Sequence, residues 1–351
     1  ERKYAVFASI NIIQKKMKKE IEMALPKVAH APANTYLLSL LLPHKEAWGW
    51  IASNFLNISL HKKDYWDEFY RYDMWGGCPY ILETSITREV MEAITNDFVR
   101  FACKMIDLGH CIYVSINRHP VKIYNAKETT FCHNPFIYGY DNEKQVFLVA
   151  EFHPGKVYSF KEIPFEQIEK AYLMYPLVNE NYPHKKIRLI KFYNDGMFQF
   201  SKKDLASKFE EYVSSENLYV KFHQGFYRSG FLMDSTYGNQ FNFGLSYYDV
   251  LTQMVLEVEP ERTVNYRPFQ LLVFKDSINE FRIDYLKKQG YEVSCGECFK
   301  LLQSKSAVLR NMILKGNIAG YRDKEGIVNF ISETRHADKV FCELIIKDLR
   351  G

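Results

Sequence analysis

The spacing of apolar residues changes along this chain, and that change limits the folds open to it. Between residues 111 and 193 the apolar residues alternate or form short runs, which is typical of β-strands. From residue 201 onward they recur every three or four positions, which is typical of helices that bury one face. A region rich in strands followed by a helical region predicts the α+β class.

The individual elements follow from the same pattern. The predicted strands are 111–116, 136–140, 146–150, 157–160 and 186–193, with a turn that begins at Asp141 between the second and third strands. The predicted helices are 202–215, 246–258, 268–289, 299–315 and 325–349, and Ser201 has the sequence context of a helix cap. A long loop is expected at 223–245. We therefore expect a first domain, 1–195, and a mainly helical domain, 196–351, packed on it.

The first domain also carries three helical patterns. Residues 9–24 form an apolar stripe that Pro26 ends. A second helix is predicted to begin near Pro32, and its run of leucines indicates deep burial. The third predicted helix is 87–108, with Gly109 as its stop signal.

Composition excludes several classes of protein. The 351 residues include 46 Lys and Arg and 42 Asp and Glu, and a net charge of +4 is too small to indicate a nucleic-acid partner. The apolar runs are much shorter than the roughly 18 to 20 residues that a membrane-spanning helix needs. Seven scattered cysteines, an odd number, favour free thiols and a reducing, cytoplasmic setting.

The most informative segment joins a histidine to a carboxylate across one predicted hairpin. His133 precedes the strand 136–140, and Glu151 ends the next strand, 18 residues after the histidine. On paired antiparallel strands the two side chains can lie side by side, where the carboxylate fixes the tautomer of the imidazole. A general base beside a nucleophile needs that arrangement. The alternatives are a core histidine bonded to a backbone carbonyl and a solvated carboxylate at a strand end.

This segment resembles the papain-like cysteine enzymes of the bacteriocin-processing and transglutaminase-like type. It is most similar to the family typified by the N-terminal domain of butirosin biosynthesis protein H. The Gly-Tyr-Asp sequence at 139–141 matches the family pattern after its histidine, and Glu151 stands where the family usually has aspartate. The resemblance covers about residues 25–175. It implies a papain-like fold with a helical C-terminal extension and a cysteine–histidine–acid triad that includes His133 and Glu151.

The nucleophile of that family is missing here. In the family, a cysteine begins a buried helix about a hundred residues before the histidine, and Ala33 occupies that place. Ala31 is the second choice for the position. A helix N-terminus lowers the pKa of a cysteine thiol and favours the thiolate, which alanine cannot supply. Alanine at position 33 indicates either a replaced cysteine or a natural protein without catalytic activity.

The resemblance implies an acyltransferase of antibiotic biosynthesis that forms an amide. An acyl group would pass from a thioester on an acyl or peptidyl carrier protein, which brings its own phosphopantetheine, to an amine or diamine. Asn34 and Tyr138 are the predicted substrate-binding residues. No cofactor or metal in this chain, and no nucleic-acid or membrane partner, is expected. The alternatives are an inactive protein that binds a peptide-like natural product, and a cysteine protease.

Other polar residues have plainer interpretations. Cys132 adjoins His133 and is a candidate nucleophile. Neighbouring strand residues point to opposite faces of a sheet, so Cys132 is not expected to share a site with His133. Cys295 and Cys298 have the spacing of a zinc half-site or a redox pair, and no second pair accompanies them. His30 is interpreted as a plain loop residue, with a role in orienting a ligand beside the nucleophile position as the alternative. The lysines within 15–19 are interpreted as a solvated helix face, with a docking patch for an acidic carrier protein as the alternative.

Overall fold

The computed structural model describes residues 17–69, 77–127, 132–153, 157–175, 186–218, 239–259 and 262–351. Helices and sheets both contribute, in agreement with the α+β class. The chain divides into two compact units. The first unit comprises 1–26, 31–43 and 79–195, and the second comprises 27–30, 44–78 and 196–351. The predicted boundary after residue 195 coincides with a boundary between the units.

The secondary structure is numbered along the chain. The strands are β1 (Lys18–Glu20), β2 (Ile58–His61), β3 (Asp67–Phe69), β4 (Ile81–Thr87), β5 (Cys111–Tyr113), β6 (Ile116–Asn117), β7 (Cys132–His133), β8 (Phe136–Asp141), β9 (Val146–His153), β10 (Val157–Pro164), β11 (Lys186–Phe192) and β12 (Phe241–Phe243). The helices are α1 (Pro32–Leu41), α2 (Trp48–Ser53), α3 (Arg88–Ile94), α4 (Phe98–Asp107), α5 (Phe165–Leu173), α6 (Lys202–Val213), α7 (Tyr247–Glu257), α8 (Arg267–Lys288), α9 (Gly296–Ala319) and α10 (Lys324–Arg350).

The first unit is built on a seven-stranded antiparallel sheet. Its order is β10-β9-β8-β5-β11-β4, with β1 paired to β8. Ile106 of α4 and Ile168 of α5 share one buried core with Ile137 and Val149 of the sheet. The helices therefore cover an apolar face of the sheet, as a layered α+β architecture requires.

The β8–β9 hairpin forms where the sequence predicts it. Oδ1 of Asp141 accepts the N–H of Glu143 at 2.9 Å and of Lys144 at 3.1 Å. Gln145 adopts the left-handed conformation, with φ of 54°. Asp141 is thus a turn residue that satisfies the backbone of the reversal, which confirms that interpretation.

Helix α1 begins at Pro32, which occupies the first helical position as predicted. Residues 34–41 of this helix are all buried. The ring of Tyr36 stacks on Phe136 of β8, with centroids 5.1 Å apart. The helix packs against the sheet of this unit. Its largely apolar sequence fits this burial.

The single helix predicted at 87–108 is wrong. β4 extends to Thr87, and α3 and α4 follow as two separate helices. The carboxylate of Asp97 accepts the N–H of Arg100 at 2.7 Å and begins a new helix there, as capping residues do. Val90 and Ile94, expected on the buried face, are instead exposed because the break removes them from the apolar stripe of α4. Gly109 ends α4 in a left-handed conformation, as predicted.

The predicted helix 9–24 is wrong in its described part, and residues 9–16 lie outside the described residues. Residues 18–20 form β1 instead. The N–H of Ile21 donates to the carbonyl of Tyr138 at 2.9 Å, and the N–H of Asn142 donates to the carbonyl of Met17 at 2.7 Å. The part of β8 that β5 leaves unpaired needs backbone partners, and this segment supplies them as a strand.

The described residues of the second unit form a three-stranded sheet and include the helices α6 to α10. β2 lies between β12 and β3 in that sheet, so residues 44–78 belong to this unit and not to the first domain as predicted. The hydroxyl of Ser201 accepts the N–H of Asp204 at 3.2 Å, which confirms the predicted cap. Much of the predicted loop 223–245 lies outside the described residues, and its end forms β12. None of the described helices combines the length and the hydropathy that crossing a membrane requires.

Candidate active site

His133 is held in place by a short pair of strands. The predicted strand 111–116 is interrupted, because β5 ends at Tyr113 and β6 pairs with β7 instead of continuing along β8. In that pair Ile116 lies opposite His133. The interruption at Val114 and Ser115 therefore gives His133 a partner strand immediately before β8 begins.

Glu151 lies beside His133, as the spacing of the two residues predicts. In the register of β8 and β9, Phe136 lies opposite Ala150. Glu151 follows Ala150 on β9, so it lies beside the residues that precede β8. Nε2 of His133 is 2.8 Å from Oε1 of Glu151, and the contact is not aligned as a straight hydrogen bond. The Glu151 side chain is fully buried, whereas that of His133 is 22% exposed. A partly open imidazole thus faces a buried carboxylate.

Three further donors converge on Glu151. The hydroxyl of Tyr36 donates to Oε1 at 3.1 Å, and the hydroxyl of Tyr124 donates to Oε2 at 3.2 Å. The N–H of Phe152 donates to Oε1 at 2.6 Å. Burial, followed by the charge of Glu151, raises the pKa of both tyrosines well above the ordinary value, so both hydroxyls stay protonated. These donors offset the cost of burying a carboxylate.

Asn134 fixes the backbone that follows the histidine. Its side-chain oxygen accepts the hydroxyl of Ser115 at 2.6 Å, and its amide nitrogen donates to the hydroxyl of Tyr113 at 3.1 Å. Its carbonyl accepts the hydroxyl of Tyr36 at 3.2 Å. Because the amide of Asn134 is held on both sides, the neighbouring His133 backbone has little freedom to move away from Glu151.

Helix α1 reaches the carboxylate through Tyr36. Residues three apart on a helix share a face, so Ala33 lies on the face of Tyr36. Side chains lean toward the N-terminus of a helix, and the Tyr36 hydroxyl that contacts Glu151 lies toward the first turn. Ala31 is the cap residue, and its carbonyl accepts the N–H of Thr35 at 3.2 Å. Both candidate nucleophile positions therefore lie in the first turn of α1, where the helix dipole favours an anion.

The two predicted substrate-binding residues are placed differently. Asn34 is buried in the first turn of α1, next to Ala33. Tyr138 of β8 packs against Phe160, with ring centroids 5.3 Å apart, and burial raises the pKa of its hydroxyl to about 12. Within the described part of the chain, no hydrogen bond or ring contact joins Tyr138 to His133. Asn34 adjoins Ala33 in the chain, and substrate binding by Asn34 stays a prediction, as it does for Tyr138.

The sequence analysis missed three residues that surround Glu151. Tyr36 was treated only as part of an apolar helix, although its spacing of three from Ala33 was a usable signal. Tyr124 lies in a single turn of 3-10 helix, Lys122–Tyr124, and no motif marks it. His153 is two residues after Glu151, so strand alternation was the signal that it shares the face of that carboxylate.

The remaining chemistry-bearing residues lie elsewhere. Cys132 has an exposed side chain, and neither Cys295 nor Cys298 is in a disulfide. The thiol of Cys298 donates to the carbonyl of Cys295 at the start of α9. Within the described ranges, no three side chains of His, Cys, Asp or Glu are grouped to hold a metal ion. His30 lies in a loop, as interpreted, but its ring is buried 2.7 Å from the carboxylate of Asp67.

A histidine that is open on one side and oriented by a buried carboxylate on the other can accept and return a proton. Ala33 supplies no nucleophile to use it. Compared with known proteins, the chain matches no protein-family model, and no curated protein is significantly similar to it.

Proposed function

We propose that this chain is a papain-like acyl-transfer protein whose nucleophile position, residue 33, holds alanine in this sequence. The observation that supports it most is the contact of 2.8 Å between the partly exposed His133 and the buried Glu151. Tyr36 connects the helix that carries residue 33 to the same carboxylate. These contacts join a histidine, the carboxylate beside it and the helix that carries residue 33, which supports the proposal of a cysteine triad.

With cysteine at position 33, the proposed reaction has two steps. The thiolate attacks the carbonyl of an acyl thioester, and the carrier's thiol leaves with a proton from His133. An amine then attacks the acyl-enzyme, so that the C–N bond forms, the C–S bond breaks and His133 takes the proton of the amine. The proposed partners are a carrier protein, which presents the acyl group on its phosphopantetheine, and an amine or diamine. Aminolysis must outpace hydrolysis, so the site has to position the amine and exclude water.

The test restores the nucleophile in a background without the exposed thiol of Cys132. The Ala33→Cys/Cys132→Ser protein is incubated with an acyl N-acetylcysteamine thioester and followed by intact-mass spectrometry. We expect one acyl adduct, which disappears as the amide forms when a primary amine is added. The matched Ala33→Cys/Cys132→Ser/His133→Gln protein should acylate more slowly by about 10²- to 10⁴-fold, since it lacks the base.

Two other outcomes would change this proposal, one by moving the nucleophile and one by excluding acyl transfer. Stronger acylation of the corresponding Ala31→Cys protein would move the nucleophile to the cap residue of α1. If neither cysteine variant gains more adduct than Cys132→Ser alone, the acyl-transfer proposal is wrong.

A binding protein is the second candidate, favoured by the alanine at position 33. Such a protein would hold a peptide-like amide beside His133 without turning it over. The test is calorimetric titration of the unmodified chain with N-octanoyl-1,3-diaminopropane, a simple amide of an acyl chain and a diamine. Saturable binding, together with no acylation of either cysteine variant, would favour this candidate. Acylation of Ala33→Cys with no binding by the unmodified chain would exclude it.

A further inference from the structure

His153 lies on the same strand and the same face as Glu151. The two residues are two positions apart on β9, and such side chains point to one side of the sheet. The ring of His153 lies over that of Tyr124, with centroids 6.1 Å apart and planes inclined by 20°. The same tyrosine meets the ring of His133 edge-on at 6.2 Å and donates its hydroxyl to Glu151. Tyr124 therefore contacts both imidazoles and the carboxylate.

Both rings depend on the same negative charge. Burial lowers the pKa of His153, and the charge of Glu151 opposes that shift. A proton on His133 lowers the pKa of His153 further, because like charges repel. Burial of the carboxylate leaves these interactions weakly screened by salt. Two rings that compete for one carboxylate titrate as a coupled pair.

The other charged and titratable groups around His153 do not supply a second negative charge. Lys161 of β10 is positive and lowers the pKa of His153, whereas the backbone of Ser159 raises it. The guanidinium of Arg118 is also positive and lies 4.9 Å from the centre of the Tyr124 ring. The nearby hydroxyls have pKa values raised by burial and are neutral, namely Tyr36, Tyr113, Tyr124 and Tyr158. Among the described residues, Glu151 is thus the carboxylate that can balance a proton on either ring.

We propose that His153 is a positioning residue of this site, because His133 and His153 both contact Tyr124 and share the negative charge of Glu151, so that a positive charge on one ring disfavours a positive charge on the other. His153 is a positioning residue in this arrangement, since it acts on the reacting histidine through Tyr124 and Glu151.

Charge sharing has a consequence for the chemistry of the site. A positive charge on His133 disfavours a proton on His153, and the charge of Glu151 opposes that effect at His153. The consequence for acyl transfer rests on the proposed function. The charge sharing itself is a property of the described residues and requires no nucleophile.

The experiment is an NMR titration of the chain with its histidine rings labelled with ¹⁵N. His153→Phe, which keeps an aromatic ring over Tyr124, assigns the His153 signal. In His133→Gln we expect the titration midpoint of His153 to rise by about 0.5 pH unit or more, since a competing positive charge is removed. In Glu151→Gln the midpoint should fall by a similar amount. His119→Gln is the matched control, because its exposed ring contacts only the carbonyl of Ala126 among the described residues, and it should change nothing.

An unchanged His153 midpoint in His133→Gln would overturn the proposal. If that variant does not fold, the unmodified chain still decides, because coupling requires a second inflection in the titration curve of His153. A single inflection there would overturn charge sharing. An acyl adduct on the Ala33→Cys protein together with independent titrations would leave the proposed function standing and remove only this inference.

Discussion

The two units each bury a carboxylate with two tyrosine hydroxyls, but they pair it with different cations. In the first unit Glu151 accepts from Tyr36 and Tyr124 and contacts His133. In the second unit Asp338 accepts from Tyr212 at 2.5 Å and Tyr248 at 2.9 Å, and Nζ of Lys275 lies 2.8 Å from both of its oxygens. Both carboxylates accept hydrogen bonds from two tyrosines. They differ in the exposure of the basic side chain beside them, which is His133 in the first unit and Lys275 in the second.

That difference separates a site that can react from one that holds the fold. Lys275 is fully buried, and Asp338 raises its pKa although burial alone would lower it. The lysine therefore stays charged and has no access to a ligand. The His133 ring is 22% exposed, and an imidazole can act as a proton donor or acceptor toward a ligand. We infer that the tyrosine–carboxylate arrangement is a general way of burying a charge in this chain, and that its use is set by which partner reaches the surface.

The largest effect is expected from removing the buried cation. Lys275→Met leaves Asp338 charged and unpaired in the core of the helical unit, and we expect a loss of about 3 to 5 kcal/mol in the free energy of unfolding. His133→Gln is the matched change at Glu151. It should cost only about 1 kcal/mol or less, because a partly exposed pair contributes little to stability. Urea unfolding of both variants measures the contrast.

A double variant controls the first comparison. Lys275→Met/Asp338→Asn removes the unpaired charge and keeps an acceptor for Tyr212 and Tyr248, so it should recover most of the lost stability. Equal costs for Lys275→Met and His133→Gln would break the distinction between the two carboxylates.

The second effect concerns the dependence of stability on pH. Burial raises the pKa of Asp276 from 3.8 to about 6, although Lys275 opposes the shift. The folded chain therefore binds this proton more tightly than the unfolded chain does. The contribution to stability is present at low pH and is lost as the pH rises from about 4 to 6. Between pH 4.5 and 7 the Asp276→Asn protein should gain on the order of 2 kcal/mol relative to the parent. A difference that does not vary with pH would contradict this.

The smallest expected change in the free energy of unfolding comes from removing one tyrosine hydroxyl at each carboxylate. Tyr248→Phe should cost about 2 kcal/mol and Tyr124→Phe about 1 kcal/mol, because each leaves a buried carboxylate without one donor. Glu151 should lose less because the hydrogen bond from Tyr124, at 3.2 Å, is longer than the 2.9 Å hydrogen bond from Tyr248 to Asp338. Tyr65→Phe is the control, since Tyr65 donates to the exposed carboxylate of Glu257, and it should change the free energy of unfolding by less than about 0.5 kcal/mol. A larger cost for Tyr124→Phe than for Tyr248→Phe would reverse the ranking.

The sequence was sufficient where local pattern and tertiary environment agree. The β8–β9 hairpin, β11 and the helices of the second unit follow from apolar period and turn residues. The pattern failed where a single residue competes with it. Asp97 breaks an apolar stripe into two helices because its carboxylate caps a new one. Residues 18–20 form a strand because β8 has an unpaired edge, which no local pattern reveals.

The sequence by itself determined that His133 precedes the first strand of a hairpin and that Glu151 lies at the end of the predicted second strand, and therefore that a base and an acid can meet. It also determined that residue 33 is alanine, which removes the thiol that the resemblance to papain-like enzymes implies. Only the tertiary structure decided which side chains surround Glu151. Tyr36, Tyr124 and His153 come from a helix, a 3-10 turn and a strand that are far apart in the chain or marked by no motif. Hydrogen bonding and charge at a buried carboxylate depend on groups brought together by folding, and the order of residues does not fix those distances.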